Sequence, residues 1–116
     1  MSDQVFVPKG WGFEKWITNN ELYCGKILYF VKGKECSWHF HEVKDEVLYV
    51  QSGSIVLKFS DDDSILGADE IVLERGDSFR IRPKLRHQMF ALEDTEIFEI
   101  STTHFDEDSI RLLKGD

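Results

Sequence analysis

A chain of 116 residues that is 41% apolar and 31% charged has the length and composition of one globular domain, large enough to build a core without staples. Its 14 Lys and Arg against 22 Asp and Glu leave a net charge of −8 with no basic stripe, which argues against nucleic acid and anionic membrane as partners. No stretch reaches bilayer-spanning length, MSDQVFVPKG lacks the basic start and apolar run of a secretory leader, and Cys24 and Cys36 are too few for a disulfide scaffold, so a cytoplasmic protein with reduced thiols is expected.

In chain order, the segment 11–20 could form a helical turn or an edge strand. Beyond it, short runs of Val, Ile, Leu, Tyr and Phe are broken by Gly, Asp, Pro and Ser. They predict strands at 23–31, 37–41, 46–51, 54–59, 70–73, 78–81, 88–92 and 95–101. Ser52-Gly53 reads as a tight hairpin, 61–64 as a second turn and Gly76-Asp77 as a third. The tail, 104–116, is predicted to run along the outside as one more short strand. Short strands at this spacing predict an all-β fold, a sandwich or barrel of antiparallel strands.

Chemistry concentrates in GKECSWHFHEVKDEVLYVQSG and, downstream, in GDSFRIRPKLRHQMF. Strand alternation sends His39 and His41 to one face and Phe40 to the other. Residues 42–45 can turn the chain so that Glu46 opens the next strand, with Leu48 and Val50 on its face. From His87, Met89 and Ala91 point inward by the same rule. Three imidazoles and a carboxylate can therefore converge in an apolar cavity. A bare carboxylate there must be neutralised, and a divalent cation does so. Imidazole suits zinc, iron, copper and nickel, and a carboxylate also admits manganese. The expected cofactor is a divalent transition metal: Zn, Mn, Fe or Ni. Such a set leaves positions open for water or substrate, as catalytic sites do.

The first block resembles the first signature of the cupin family at every defined position: Gly33, five residues, His39-x-His41, four residues, Glu46, six residues, Gly53. The second signature is met in part. Gly76 and His87 stand at the right separation, while Arg82 takes the proline place, Lys84 the inner glycine place and Ala91 the asparagine place. The resemblance implies a single-domain cupin-type jelly-roll β-barrel over 1–116, with its core at about 22–102. It also implies that His39, His41, Glu46 and His87 ligate the metal. Gly10-Trp11-Gly12 and the tail EISTTHFDEDSIRLL are similar to single-domain cupins related to type II mannose-6-phosphate isomerases, although that subgroup often carries a glutamine and a run of histidines at the first motif.

That likeness points to a sugar or sugar-phosphate isomerase-like enzyme with a small-molecule substrate, acting as a homodimer. An iron-dependent dioxygenase-type cupin and a non-catalytic small-molecule binding module are the alternatives. Aldose–ketose isomerisation needs a Lewis acid and a base. By residue type the base is Lys44, Tyr49 or His104, and alternation puts Tyr49 on the outer face. Lys84 and Arg86, just before His87, are the expected substrate-binding pair, holding a phosphate at the barrel rim. Arg80 and Arg82 should face outward, Trp38 and Phe40 should serve packing, and 61–63 should be a solvated hairpin tip.

Overall fold

The computed structural model describes residues 4–116. Eleven strands follow one another: β1 Val5–Lys9, β2 Gly12–Asn19, β3 Cys24–Phe30, β4 Trp38–His41, β5 Glu46–Ser52, β6 Ser54–Ser60, β7 Asp69–Glu74, β8 Ser78–Ile81, β9 Arg86–Ala91, β10 Thr95–Ser101 and β11 Ser109–Leu113. They form two antiparallel sheets, ordered β1-β2-β3-β10-β5-β8 and β11-β4-β9-β6-β7, which face each other as a jelly-roll barrel. The only helix among the described residues is the 3-10 turn Asp106–Asp108, and none is long and apolar enough to cross a membrane.

All eight expected strands form, with shifts of one or two residues at some ends. The undecided 11–20 segment is strand β2. β1, β2 and β11 lie outside the span 22–102, yet they extend the same two sheets. The tail also does more than cover the outside: β11 pairs with β4, and Ser109 and Arg111 stand opposite His41 and His39 on the inner face.

Alternation fixes what faces inward. Along β3 and β10 the buried positions are Cys24, Lys26, Leu28 and Phe30, then Thr95, Ile97, Glu99 and Ser101. Register joins Leu28, Ile97 and Val50 into one apolar row, which the facing sheet covers with Ile55 and Leu57. Val50, Ile55, Leu57 and Ile97 are fully buried, and each such side chain contributes roughly 1.5–3 kcal/mol. A neighbouring row reads Trp16, Lys26, Glu99, Leu48, so one end of the barrel is apolar and the other polar. Both cysteines are buried and free.

Gly53 shows why the hairpin after β5 needs glycine. Its φ is +88°, and a Cβ there would lie 2.4 Å from the Asp94 carbonyl oxygen. Lys84 departs from this logic. It occupies the inner glycine place of the second motif with a φ of 71°, the one left-handed non-glycine among the described residues. That conformation costs a bulky residue on the order of 1–3 kcal/mol. Lys84→Gly should therefore raise stability by about 1 kcal/mol after glycine's own entropic penalty. Urea denaturation checks this, and a lower midpoint in the variant would refute it.

Candidate metal centre

His39 and His41 share the inner face of β4, and His87 lies opposite His39 in register on β9. Glu46 faces them from the start of β5 in the other sheet. One ligand atom from each histidine lies within 4.8 Å of the other two. Glu46 closes the group: Oε2 is 3.7 Å from His41 Nε2, and Oε1 is 3.9 Å from His87 Nε2.

Backbone carbonyls orient two of the rings. His39 Nδ1–H donates to the Ser37 carbonyl at 2.8 Å, and His87 Nδ1–H donates to the Leu85 carbonyl at 2.9 Å. Each Nε2 is thereby left as a lone pair, the arrangement expected of an imidazole ligand. His41 Nδ1 and Glu46 Oε2 are buried without a hydrogen-bond partner. Burial also keeps the rings neutral. It lowers the pKa of His39, takes that of His41 to about 3 with help from Lys44 and His39, and takes that of His87 well below the usual value. Neutral, desolvated imidazoles beside a buried carboxylate oxygen that makes no hydrogen bond and has only the Lys44 ammonium, at 3.5 Å, for a counter-charge suit a divalent transition metal.

A second buried layer adjoins the cluster. Lys44 Nζ is 2.7 Å from Glu99 Oε2 and 3.5 Å from Glu46 Oε2. Burial opposes the Lys44 charge, but Glu99 and Glu46 outweigh it and its pKa rises. Burial also pushes both acids upward. For Glu99 the closer Lys44, with Lys26, overrides burial and its pKa falls, whereas Glu46, further from Lys44 and facing Glu99, stays raised. Lys26 is buried between Glu14, at 3.3 Å, and the Trp16 ring, 4.4 Å below its ammonium. His104 Nδ1 accepts from Lys44 Nζ at 3.1 Å, and its Nε2–H donates to Asp106 at 2.9 Å. Burial, then Lys26 and Lys44, hold His104 below its ordinary pKa. All of these groups line one cavity of about 780 Å³, shared with the histidine cluster.

Of the residues expected to act, His39, His41, Glu46, His87, Lys44 and His104 meet in this cavity. Tyr49 does not: it stacks on Phe98 on the outer face of β5. Lys84 and Arg86 also lie off the cavity lining. Lys84 is exposed. Arg86 bonds Asp63 through Nε and Nη2 at 2.9 and 2.7 Å, donates to the Lys84 carbonyl, and rests 3.8 Å over the Phe40 ring. Its charge is spent on the outside of the sheet. Arg80 and Arg82 pair with Asp45 and Asp61. Sequence reasoning passed over Glu14, Lys26, Glu99 and Arg111. The available signal was a charged residue at an inward place in an apolar alternation, as in Cys24-x-Lys26-x-Leu28 and Ile97-x-Glu99.

Two facing antiparallel sheets that gather three histidines and a glutamate at one end define a small barrel protein able to hold a metal. Residues 27–103 match the Cupin_2 family, a cupin domain, and the chain belongs to the cupin family. No curated protein matches the sequence. Among solved structures, KdgF from Halomonas sp. superimposes with a TM-score of 0.70 at 21% identity, over 82% of this chain and 81% of that one. Oxalate decarboxylase from Bacillus subtilis gives 0.80 at 17% identity, over 95% of this chain and 30% of that one. CapF, solved with the inhibitor 3-isopropenyl-tropolone, gives 0.76 at 20% identity, over 95% and 34%. The chain thus spans about a third of the last two proteins, and at these identities the likeness is one of fold.

Proposed function

We propose that this cupin is a metal-dependent enzyme of the sugar or sugar-phosphate isomerase type, similar to type II mannose-6-phosphate isomerases and acting in the cytoplasm. The observation that carries this reading is the placement of acid–base groups, Lys44 and His104, in the same cavity as the histidine cluster. His39, His41, Glu46 and His87 are the residues that would hold the ion. When bound, the ion supplies a Lewis acid that polarises neighbouring carbonyl and hydroxyl oxygens.

The chain's own groups supply the rest. His104 is the base: it is neutral, and Asp106 fixes its tautomer so that the lone pair sits on Nδ1, where it accepts from Lys44 Nζ until substrate displaces that contact. Lys44 remains an ammonium at neutral pH and stabilises oxyanion character beside it. The Trp11 and Phe30 rings, stacked at 4.1 Å, wall the cavity and limit water.

Metal analysis of the purified protein followed by a panel of aldose and ketose phosphates tests this. Zinc or manganese with interconversion of mannose 6-phosphate and fructose 6-phosphate is the expected result. Iron with oxygen uptake would replace it with the dioxygenase reading. Sugar binding without turnover, indifferent to chelator, would leave a binding module.

The homodimer belongs to the same reading. The outer face of the larger sheet carries Phe6, Phe13, Tyr29, Phe98, Tyr49 and Ile100, with Phe6–Phe13 and Phe13–Tyr29 centroids 5.0 and 5.2 Å apart. Ile100 and Phe6 are more than 60% exposed. Five strands of about seven residues make a face of roughly 24 by 23 Å, about 550 Å², smaller than the roughly 800 Å² each partner of a standard interface buries but above the scale of a lattice contact. A second copy fits a face whose exposed aromatic and aliphatic residues are interrupted by charge only at Lys15, Glu96 and Arg80. Light scattering should give twice the 13.6 kDa chain mass, and Phe98→Glu should halve it. A wild-type monomer at micromolar concentration would defeat this part.

A further inference from the structure

Cations on the cavity are nearly all committed. Lys44 serves Glu99 and Glu46, Lys26 serves Glu14 and Trp16, and Lys9 lies 3.8 Å from Glu14. Arg111 is the exception that also reaches the metal cluster. It lines the cavity and has no ion pair or hydrogen bond to an acid among the described residues. Its register partner across β11 and β4 is His39. Residues so opposed stand with Cβ atoms about 5 Å apart on the same face. The guanidinium therefore rises from the wall beside the histidines, with Lys114 also on the lining.

We propose that Arg111 is the anchor for an oxyanion, a phosphate or carboxylate, at the far end of the substrate. Its planar fork matches either group in a bidentate contact, and Lys114 adds a point charge. The acids on the same cavity offer it no competing partner. Glu46 and Glu99 face Lys44, Glu14 faces Lys26, Asp106 holds His104, and Asp116 accepts the Glu35 backbone N–H. The substrate class follows. One end presents oxygens to the histidine cluster, and the other carries a negative group within one small-molecule length. The identity of the first end rests on the isomerase reading, whereas the anion anchor does not.

Calorimetric titration with inorganic phosphate, and separately with acetate, tests the anchor on the protein as purified. Wild-type protein should bind one of the two, and the tighter one names the substrate's anionic group. Arg111→Gln should weaken that binding about 10- to 100-fold, the worth of a charge-assisted bond. Arg111→Lys should restore part of it, and Lys84→Gln should leave it unchanged. Metal content and circular dichroism should match wild type in all three variants. Equal binding by Arg111→Gln would show that the anion sits on the metal alone and would overturn the proposal, as would no binding of either anion by wild type. Loss of phosphate binding in Arg111→Gln without turnover of any sugar phosphate would retain the anchor and remove the isomerase.

Discussion

Replacing His41 by alanine should empty the metal centre. The ring is buried, its neighbours His39 and His87 lie with centroids 5.2 and 5.8 Å away, and it faces Glu46 at 3.7 Å. Changing only a partner behind a ligand typically costs 10- to 100-fold in affinity, so losing a ligand should cost more than about 100-fold. After dialysis against micromolar free metal, stoichiometry should fall from near one ion per chain to near zero. Chelator should lower the melting temperature of the wild type, because a ligand at about 1,000 times its Kd adds about 4 kcal/mol. The variant should be insensitive to chelator. Unchanged metal content in a folded His41→Ala protein would defeat the assigned ligand set.

The second large effect should come from Lys44→Met. This ammonium is the shared counter-charge of Glu99 and Glu46, and all three groups are buried. Removing one partner of a buried ion pair typically costs about 3–5 kcal/mol, because the other charge is stranded. For a domain of this size that is a fall of roughly 10–20 °C in melting temperature. The pH dependence separates this cause from simple loss of packing. Burial raises the Glu99 pKa, but Lys44 and Lys26 override it and hold it at about 2 in the folded chain, so its contribution is full above its ordinary value of 4.5 and is lost progressively as pH falls from there through the folded value. The deficit of the variant should be full at pH 7 and shrink in the acid range. A loss of the same size at pH 7 and pH 3.5 would mean that volume, not charge, is what Lys44 supplies.

The convergence of the three histidines and Glu46 was legible because its spacing is local. His39 and His41 obey a two-residue period, one turn delivers Glu46, and Gly33, Gly53 and Gly76 occupy left-handed turns. The free arginine on the cavity wall was not legible for the opposite reason. Lys84 and Arg86 stand next to His87 in sequence, but strand alternation and Asp63 take Arg86 to the outer face. Arg111 stands 72 residues from His39 along the chain and reaches it only through the pairing of β11 with β4. No local pattern encodes that pairing. The Lys26–Glu99 row is intermediate. Each residue breaks an apolar alternation within its own strand, which is visible, but the register that joins them is not.

Two of the three tryptophans have a consequence for experiment. Trp11 stacks on Phe30, and Trp16 lies under Lys26 and edge-on to His104, both on the cavity wall. Trp38 points to the other side of its strand, with its indole N–H on the Asp63 carbonyl. The protein thus carries a built-in optical probe. Its native fluorescence should follow occupancy of the cavity without any label, and an open-shell ion such as manganese or iron should quench it where zinc leaves it bright.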